Sequence, residues 1–317
     1  MTEAAPMTFD RASGRLEGAR LVERCAVLAL QTGAKATSPF NHRGYSIGCR
    51  LISSVVDKRD IIVRLNEDAL FAFPLGDSYW SRLLNRSYTY EEELDRFLSH
   101  VASVDYTFLD CGANFGFWSV LVSSRPYGSH QAIAIEASPA NAEWLQKNTR
   151  LNGNRFEVIN LAIGGRSGGT ARIHGRKNEA LSIMPDAGPA RGEEVGIVAL
   201  DDLLDGRIGP AAKRIVVKLD IEGVEIDAIK GGQRLLAGDV MVICEEHGSD
   251  RQHTATRYLM NETPCRVFIL NPSSNRFERV IDLTMLDRIK KFSGVGYNVF
   301  ATASPFWEEQ LLSANLR

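Results

Sequence analysis

The chain has 317 residues, of which 44% are hydrophobic and 24% are charged, a composition typical of a globular protein and not of a disordered or fibrous one. This length accommodates one large domain, or a catalytic domain with an extension. Lysine and arginine number 37 against 39 acidic residues, which gives a formal net charge of -2. The chain therefore lacks the overall basic field of many nucleic-acid-binding proteins, and we expect no nucleic-acid substrate.

Five cysteines are spread along the chain without C-x-x-C spacing, a pattern that predicts reduced core residues and neither a disulfide framework nor a zinc site. Cys111 and Cys244 lie within apolar runs and are predicted to be buried in strands. The N-terminus carries the acidic Glu3 and lacks the basic region and apolar stretch of a signal peptide. No apolar run approaches the roughly 20 residues of a membrane helix. We therefore expect a cytoplasmic protein that makes no membrane contact.

The first 105 residues have an irregular pattern. Residues 20–30 predict a helix, whereas residues 47–56 and 60–65 are enriched in β-branched side chains, as strands are. An acidic stretch over residues 90–99 predicts a short helix. We interpret residues 1–105 as an N-terminal α/β extension that could cover a substrate site.

From Tyr106 onward, apolar strands alternate with helical segments. This alternation predicts βαβ units and a parallel sheet with helices on both faces. The predicted strands cover residues 107–111, 132–135, 156–161, 215–219 and 240–244. Two later strand-like segments, residues 266–270 and 296–301, can close the sheet as an antiparallel hairpin. We expect the catalytic domain to span residues 106–303 and residues 304–317 to form a C-terminal tail.

The first of these strands runs into a glycine turn, F-L-D-C-G-A-N-F-G over residues 108–116, which opens a helix. Gly112 and Gly116 let the backbone approach a ligand closely, and a helix N-terminus offers free N–H groups. The spacing is G-x-x-x-G with Asn114 between the glycines, and not the G-x-G-x-x-G of dinucleotide sites. The ligand is therefore expected to have no pyrophosphate, and Asp110 could accept a hydrogen bond from an ammonium group.

The second strand ends in Glu136, so an acidic side chain lies at the carboxyl edge of the sheet. Such an acid is the usual partner of ribose hydroxyls, because a carboxylate accepts two hydrogen bonds. Ser138 and Pro139 then predict the start of a helix, and Asn152 with Gly153 predicts its end. The glycine turn and Glu136 together predict a site for a nucleoside-containing cofactor.

Two further strand ends carry acidic residues and a histidine. Asp220 and Glu222 follow one strand, and Glu245, Glu246 and His247 follow the next. Ligands of open α/β sheets bind beyond the carboxyl ends of the strands, so these groups are expected to face the same crevice. They predict acid–base chemistry or a divalent-cation site. The other five histidines lack such a context and are expected at the surface.

Three segments together resemble the FkbM family of methyltransferases. They are the glycine turn at residues 108–117, V-A-L-D-D-L-L at residues 198–204 and V-K-L-D-I-E-G-V-E-I-D-A-I-K-G-G at residues 217–232, with Y-T-Y-E-E-E-L at residues 88–94 similar to the segment before the first core strand. The resemblance implies a class I, Rossmann-like fold with a seven-stranded, mostly parallel sheet. It also implies S-adenosylmethionine as methyl donor and O-methylation of a sugar or natural-product hydroxyl, so the expected partner is a small-molecule or glycan acceptor.

The resemblance also implies a role for each site residue. Asp110, Gly112, Asn114 and Gly116 would hold the methionine end of the cofactor, and Glu136 would hold the ribose.

Asp220 and Glu222 would border the methyl-transfer site, with His247 as a further candidate base. We expect metal-free general-base catalysis, with the alternative that the carboxylates hold a divalent ion. Two other functions stay open at this point: an NAD-dependent dehydrogenase or sugar epimerase, and a non-catalytic protein that retains the cofactor fold.

Overall fold

The computed structural model describes residues 6–174, 182–184, 193–208, 214–221 and 223–316. The chain divides into two compact units. The first comprises Met1–Tyr90 together with Gln146–Asn154, and the second comprises Glu91–Leu145 and Arg155–Arg317. The predicted domain limits at residues 105 and 303 stay a prediction.

The first unit contains a four-stranded sheet and two helices. Its elements in chain order are β1 (Met7–Asp10), β2 (Leu16–Glu17), α1 (Leu21–Thr37), α2 (Tyr45–Val55), β3 (Asp60–Asn66) and β4 (Ala69–Pro74). The strands are arranged in the order β2-β1-β3-β4. The predicted helix at residues 20–30 and the predicted strand at residues 60–65 are both present. Cys25 on α1 is exposed, in contrast to the expectation that all five cysteines belong to the core.

The strand predicted at residues 47–56 is wrong, because this segment forms helix α2. The buried side chains of α2 are Tyr45 and Cys49, which are four residues apart and therefore lie on one face of a helix. The apolar residues that suggested a strand, Ile47 and Val55, are exposed on the opposite side. The β-branched content of the segment thus reflects its outward face and not a strand.

A segment distant in sequence completes the first unit. It contains the last residues of helix α5 (Pro139–Leu151). The side-chain amide of Asn148 accepts a hydrogen bond from the backbone N–H of Ala72 at 2.7 Å and donates one to the carbonyl of Ala72 at 3.1 Å. Asn152 bonds in the same two ways to Leu70. These two amides therefore satisfy backbone groups of β4 as a neighbouring strand would.

The second unit is built on an eight-stranded sheet. In spatial order its strands are β15 (Arg276–Arg279), β14 (Arg266–Asn271), β16 (Gly296–Thr302), β13 (Val240–His247), β12 (Ile215–Leu219), β5 (Thr107–Cys111), β6 (Gln131–Ile135) and β7 (Phe156–Ile159). The five strands from β13 to β7 are parallel, and β16 runs antiparallel to both of its neighbours, β13 and β14. Without the edge strand β15, this is the seven-stranded, mostly parallel sheet of the class I methyltransferase fold. The fold prediction is confirmed, and β15 is the one strand beyond it.

Helices cover both faces of this sheet, as predicted. Side chains of one face, such as Leu109, belong to a core with Ile229 and Leu259 from the helices. On the other face Phe97 contacts Phe300 of β16, with ring centroids 5.5 Å apart. The helices of the second unit other than α5 are α3 (Glu92–His100), α4 (Phe117–Val122), α6 (Leu200–Leu203), α7 (Glu225–Lys230), α8 (Gln233–Leu236), α9 (Thr254–Glu262), α10 (Thr284–Ile289) and α11 (Pro305–Ser313).

The strand predicted at residues 156–161 is shorter in the structure. Strand β7 ends at Ile159, and residues 162–163 form β8 (Ala162–Ile163) in a separate small sheet with β9 (Thr170–His174), β10 (Ser182–Met184) and β11 (Glu193–Val198). The side chain of Asn160 donates hydrogen bonds to the carbonyls of Glu136 and Ala137 at 2.8 and 3.0 Å. These bonds tie the chain to the end of β6, where it leaves the large sheet.

Candidate active site

The candidate site lies where the order of the strands reverses. Strands β6 and β7 follow β5 on one side, whereas β12 and β13 lie on the other. In open α/β sheets this switch point, at the carboxyl ends of the strands, is where ligands bind. The ends of β5 and β12 touch here, since the N–H of Asp220 donates to the carbonyl of Cys111 at 3.0 Å.

Both glycines of the turn after β5 have a left-handed conformation, with φ of +81° at Gly112 and +86° at Gly116. A Cβ atom on Gly112 would lie 1.7 Å from the carbonyl oxygen of Asp220, and one on Gly116 would lie 2.4 Å from the side chain of Leu145. The turn therefore requires glycine for its own packing against β12 and α5, before any ligand is considered.

Asp110 is buried beneath the same turn. Its carboxylate accepts hydrogen bonds from the backbone N–H of Ser119 at 3.1 Å and from the hydroxyl of Ser119 at 2.6 Å. Burial raises the pKa of Asp110, and the nearby Lys218 and the Ser119 bonds oppose that shift. One carboxylate oxygen thus stabilises the first turn of α4. The expected contact of Asp110 with the cofactor stays a prediction.

Glu136 connects the second strand to the glycine turn. Its two carboxylate oxygens accept hydrogen bonds from the backbone N–H groups of Asn114 and Ser138, each at 2.8 Å. Burial raises the pKa of Glu136 to about 7, although both N–H bonds act in the opposite direction. The side chain of Asn141 also forms a hydrogen bond with Glu136. The two carboxylate oxygens together have about four acceptor positions, so these three bonds leave about one for a ligand hydroxyl.

A buried group of charged residues lies at the ends of β12 and β13. The Lys218 ammonium is 2.6 Å from a carboxylate oxygen of Asp220 and 3.9 Å from one of Glu91. Glu245 is hydrogen-bonded to Asp220, and the backbone of Gly296 leaves room for the Glu245 side chain, which a Cβ atom there would strike at 1.3 Å. We call Glu91, Lys218, Asp220 and Glu245 the carboxylate–lysine cluster.

The four members of the cluster differ in charge. Burial works against ionisation of Lys218, yet Asp220, Glu91 and Asp110 outweigh it and raise the lysine pKa well above its usual value. Burial also raises the pKa of Asp220, but Lys218 and the hydrogen bond from Glu245 outweigh it and lower this pKa. Burial and the neighbouring Asp220 raise the pKa of Glu245 well above the usual range. These opposite shifts favour an ionised Asp220 and a protonated Glu245.

Glu91 has a different environment from the other two carboxylates. Burial raises its pKa to about 7, Lys218 lowers it, and Asp220 and Glu93 raise it further. Its side chain accepts hydrogen bonds from the indole N–H of Trp118 and, at 3.1 Å, from the amide of Asn298. Its backbone is left-handed, with φ of +45°, which is uncommon for a residue other than glycine and is often found at functional sites.

Glu91, Lys218 and Asn298 were not among the residues singled out from the sequence as site candidates. Lys218 directly precedes Leu219 and Asp220 in the strand, and the spacing of two places both charged side chains on one face of β12. That signal was available in the sequence. Glu91 and Asn298 come from segments remote from β12 in sequence. Asn298 pairs with Glu245 across β16 and β13, and Glu91 contacts both Lys218 and Asn298.

Two of the predicted catalytic residues, Glu222 and His247, are not members of the carboxylate–lysine cluster. Glu222 lies outside the described residues, so its predicted role is untested. His247 is exposed at the end of β13, and its ring nitrogen Nδ1 is 2.6 Å from the hydroxyl of Ser249. Its role as a candidate base also stays a prediction.

Glu246 lies on the opposite face of β13 and is fully buried. It accepts hydrogen bonds from Thr256 and pairs with the buried Lys290 at 3.3 Å. Lys290 in turn contacts Nδ1 of His253 at 3.2 Å. His253 is therefore buried, as is His130, which stacks on Tyr106. The expectation that both histidines are surface residues is wrong, because hydrogen bonds to Lys290 and Asp287 compensate for the burial of His253, and ring stacking on Tyr106 compensates for that of His130.

The carboxylate–lysine cluster contains its own cation. Within the described ranges, no group of three or more histidine, cysteine, aspartate or glutamate side chains has an arrangement that could hold one. The Lys218 ammonium supplies a positive charge between Glu91 and Asp220.

A cavity of about 290 Å³ lies at the other end of the sheet, lined by residues 102–107 and 128–131, and does not include the candidate site residues.

Comparison with known families identifies the second unit. The model of the methyltransferase FkbM domain matches residues 110–267, which include the glycine turn, Glu136 and the cluster residues on β12 and β13. Residues 110–267 of the chain belong to the FkbM methyltransferase family. The resemblance inferred from the sequence motifs is thereby confirmed. A comparison with curated proteins finds no match.

Several solved methyltransferase structures are similar to the chain. The FkbM methyltransferase of Methylobacillus flagellatus KT is 18% identical with a TM-score of 0.40, and the match covers 62% of this chain and 43% of that protein. The precorrin-6Y C5,15-methyltransferase of Geobacter metallireducens GS-15 is 15% identical, with a TM-score of 0.38 and coverage of 68% and 90%. The AdoMet complex of TYW2 from M. jannaschii is 11% identical, with a TM-score of 0.36 and coverage of 78% and 85%. The chain thus spans less than half the length of the Methylobacillus protein.

Proposed function

We propose that the protein is an S-adenosylmethionine-dependent methyltransferase that transfers the methyl group to a hydroxyl of a sugar or natural product. The observation that carries this proposal is the buried Glu136 carboxylate joined to Asn114 of the glycine turn at the switch point of an FkbM-family sheet. The family favours methyl transfer over the dehydrogenase and epimerase alternatives. The carboxylate–lysine cluster supports a hydroxyl acceptor, whose proton must be removed.

Glu136 and the turn fit the donor. Glu136 retains acceptor capacity for a ribose hydroxyl, and the turn, which lacks the glycine pattern of a pyrophosphate site, suits the amino-acid end of the molecule. When bound, the sulfonium supplies an already activated methyl group. The task left to the protein is to align the acceptor oxygen and to accept its proton.

We assign proton removal to the carboxylate–lysine cluster. A general base works best when its pKa is close to the operating pH, and Glu91, with a pKa of about 7, meets this condition. Asp220, which Lys218 keeps ionised, would accept a hydrogen bond from the acceptor hydroxyl and orient it. Glu245, protonated and bonded to Asp220, holds that carboxylate in place. Proton removal by the cluster requires no metal ion.

Ligand binding tests the donor. We expect S-adenosylmethionine and S-adenosylhomocysteine to raise the melting temperature and NAD to leave it unchanged, because a ligand stabilises the folded state that binds it. A rise with NAD alone would contradict the proposal.

The reaction itself needs a second experiment. Transfer of a labelled methyl group is measured with a panel of sugars, glycosides and hydroxylated natural products, with nucleosides and amines for comparison. O-methylated products support the proposal. Transfer to amines alone would contradict the hydroxyl acceptor, and binding without transfer to any member of the panel would favour a non-catalytic cofactor-binding protein.

A further inference from the structure

Helices α1 and α2 of the first unit expose an unusual amount of apolar side chain. Seven of the ten exposed large hydrophobic residues in the described part of the chain lie between residues 21 and 55: Leu21, Val22, Leu28, Phe40, Ile47, Leu51 and Val55. Isolated exposed apolar residues are ordinary, but a concentration of them marks an interaction surface.

The exposed residues are ordered along each helix. Ile47, Leu51 and Val55 of α2 are four residues apart and 56%, 65% and 74% exposed, whereas the opposite face buries Tyr45 and Cys49. These three residues therefore form an outward stripe.

Helix α1 repeats the pattern. It buries Ala26, Leu30 and Ala34 on one face and exposes Leu21 and Leu28, seven residues apart, on the other. A surface helix ordinarily has a polar outer face, so two neighbouring helices with apolar outer faces indicate that a partner covers them.

The part of the chain that contains these two helices is also positively charged. Residues 20–59 contain seven lysine and arginine residues against two acidic ones, although the whole chain has a net charge of -2. Both acidic residues are neutralised, since Glu23 pairs with Arg59 and Asp57 pairs with Arg20. The remaining five cations form no ion pair with a carboxylate of the described residues: Arg24, Lys35, Arg43, Arg50 and Lys58.

We propose that the outward faces of α1 and α2 bind an anionic lipid surface. Helices of this kind lie in the membrane interface with apolar side chains inserted and lysine and arginine near the headgroups. The interaction is peripheral, since none of the described helices is long and apolar enough to cross a membrane. This inference rests on the first unit alone and does not depend on the proposed function.

Charge distinguishes this partner from two others. A symmetric dimer through the same faces would bring the basic surface around Arg43 and Arg50 against the same basic surface of a second copy, and such like-charge contacts are unfavourable. Nucleic acid would use the cations, but its binding sites are more polar than the stripe of Ile47, Leu51 and Val55. An anionic lipid surface accepts both the apolar and the basic side chains.

Vesicle flotation of the full chain tests the proposal. We expect the protein to float with vesicles of phosphatidylcholine and phosphatidylglycerol, and less at high salt, because salt screens the attraction to the headgroups. Leu51→Asp should weaken binding at least about tenfold, since the buried area of one leucine is lost. Arg50→Glu should weaken it by roughly fivefold for each unit of charge.

Matched controls lie elsewhere on the surface. Ile281→Asp changes a residue that is 79% exposed, and Arg279→Glu changes an exposed arginine of β15, so both should leave flotation unchanged. Circular dichroism and the melting temperature verify that Leu51→Asp still folds, as expected for a side chain that is 65% exposed.

Three results would overturn the inference. The first is no flotation with anionic vesicles, and the second is equal flotation of Leu51→Asp and the wild type. The third is a wild type that does not bind vesicles but forms a dimer or a nucleic-acid complex, which Leu51→Asp abolishes. Sedimentation velocity and fluorescence anisotropy with an oligonucleotide detect the last of these.

Discussion

Two glutamates of this protein have a pKa near 7 for the same reason, burial, but their neighbours suit them to different tasks. Glu136 is surrounded by backbone N–H groups and the turn that we assign to the cofactor. Glu91 is surrounded by charged and polar side chains, with Lys218 opposing and Asp220 reinforcing the effect of burial. Because their surroundings differ, binding and turnover measurements separate the two titrations.

Cofactor affinity is expected to depend on Glu136. Glu136→Gln should weaken S-adenosylmethionine binding by about 1–3 kcal/mol, because the ribose loses a charged acceptor in a buried site. Wild-type affinity should rise as the pH rises through about 7, since the carboxylate is protonated below that value and ionised above it. Titration calorimetry across this pH range measures both effects.

The control for this prediction is Glu143→Gln, which changes an exposed glutamate of the following helix and should leave affinity unchanged. An affinity that is the same for Glu136→Gln and the wild type would remove Glu136 from the cofactor site.

Turnover is expected to depend on Glu91. At saturating cofactor, kcat should rise as the pH rises through about 7 and then level off, because a base must be unprotonated to accept the acceptor proton. Glu91→Gln should lower kcat by about 10²-fold or more and remove this dependence. Asp220→Asn should raise KM as well as lower kcat, since it loses an orienting hydrogen bond.

Asp227→Asn, an exposed acid of α7, serves as the control and should behave as the wild type. Every assay is run both with and without a chelator. Activity abolished by EDTA and restored by Mg²⁺ would contradict the assignment of a metal-free base, as would full activity of Glu91→Gln.

At the scale of elements, the site depends on how closely β5 and β12 approach at their carboxyl ends. The contact is made by backbone alone, between the turn at Gly112 and the carbonyl group of Asp220. Any change in that spacing moves Asp220, and with it the carboxylate–lysine cluster, relative to the turn.

Gly112→Ala should therefore destabilise the protein by more than about 3 kcal/mol, because the new Cβ would lie 1.7 Å from the Asp220 carbonyl and the backbone would have to move. Gly168→Ala is a matched control, since Gly168 also has a left-handed φ, +91°, but has open space around it. Its cost should be only the conformational strain of about 1–2 kcal/mol. Denaturant unfolding measures both, and equal effects would mean that φ alone requires glycine at residue 112.

On the scale of the whole molecule, the two compact units are not successive stretches of the chain. Residues Gln146–Asn154 belong with the first 90 residues. Asn148 is fully buried, and its amide bonds to both backbone groups of Ala72. The first unit therefore depends on residues that the chain reaches only after it has entered the second unit.

Asn148→Ala should lower the free energy of unfolding by about 1–3 kcal/mol, because the buried N–H and carbonyl of Ala72 lose their partners. Asn261→Ala, at an exposed position of α9, should change it by less than about 0.5 kcal/mol. The melting curves of both variants provide the measurement. Equal stability of Asn148→Ala and the wild type would mean that β4 finds other partners, such as water.

Much of the second unit was determined by local sequence. The apolar runs that became β5, β12 and β13 and the glycine turn after β5 are contiguous patterns, and a parallel sheet buried on both faces requires such runs. Glu136 could also be predicted, because it follows a strand directly. Helix α2 could not be predicted, because its residues are apolar on both faces and the sequence does not indicate which face is buried.

Only the tertiary structure decided which acids act together. Glu91, Asp220 and Glu245 come from segments far apart in sequence, and their charge states follow from burial and from one buried lysine between them. A pKa depends on solvation and on neighbours in space, and neither can be read from sequence order. For the same reason His247 and Glu246, which adjoin Glu245 in the chain, face other surroundings, because successive side chains of a strand point to opposite faces and strand ends differ in exposure.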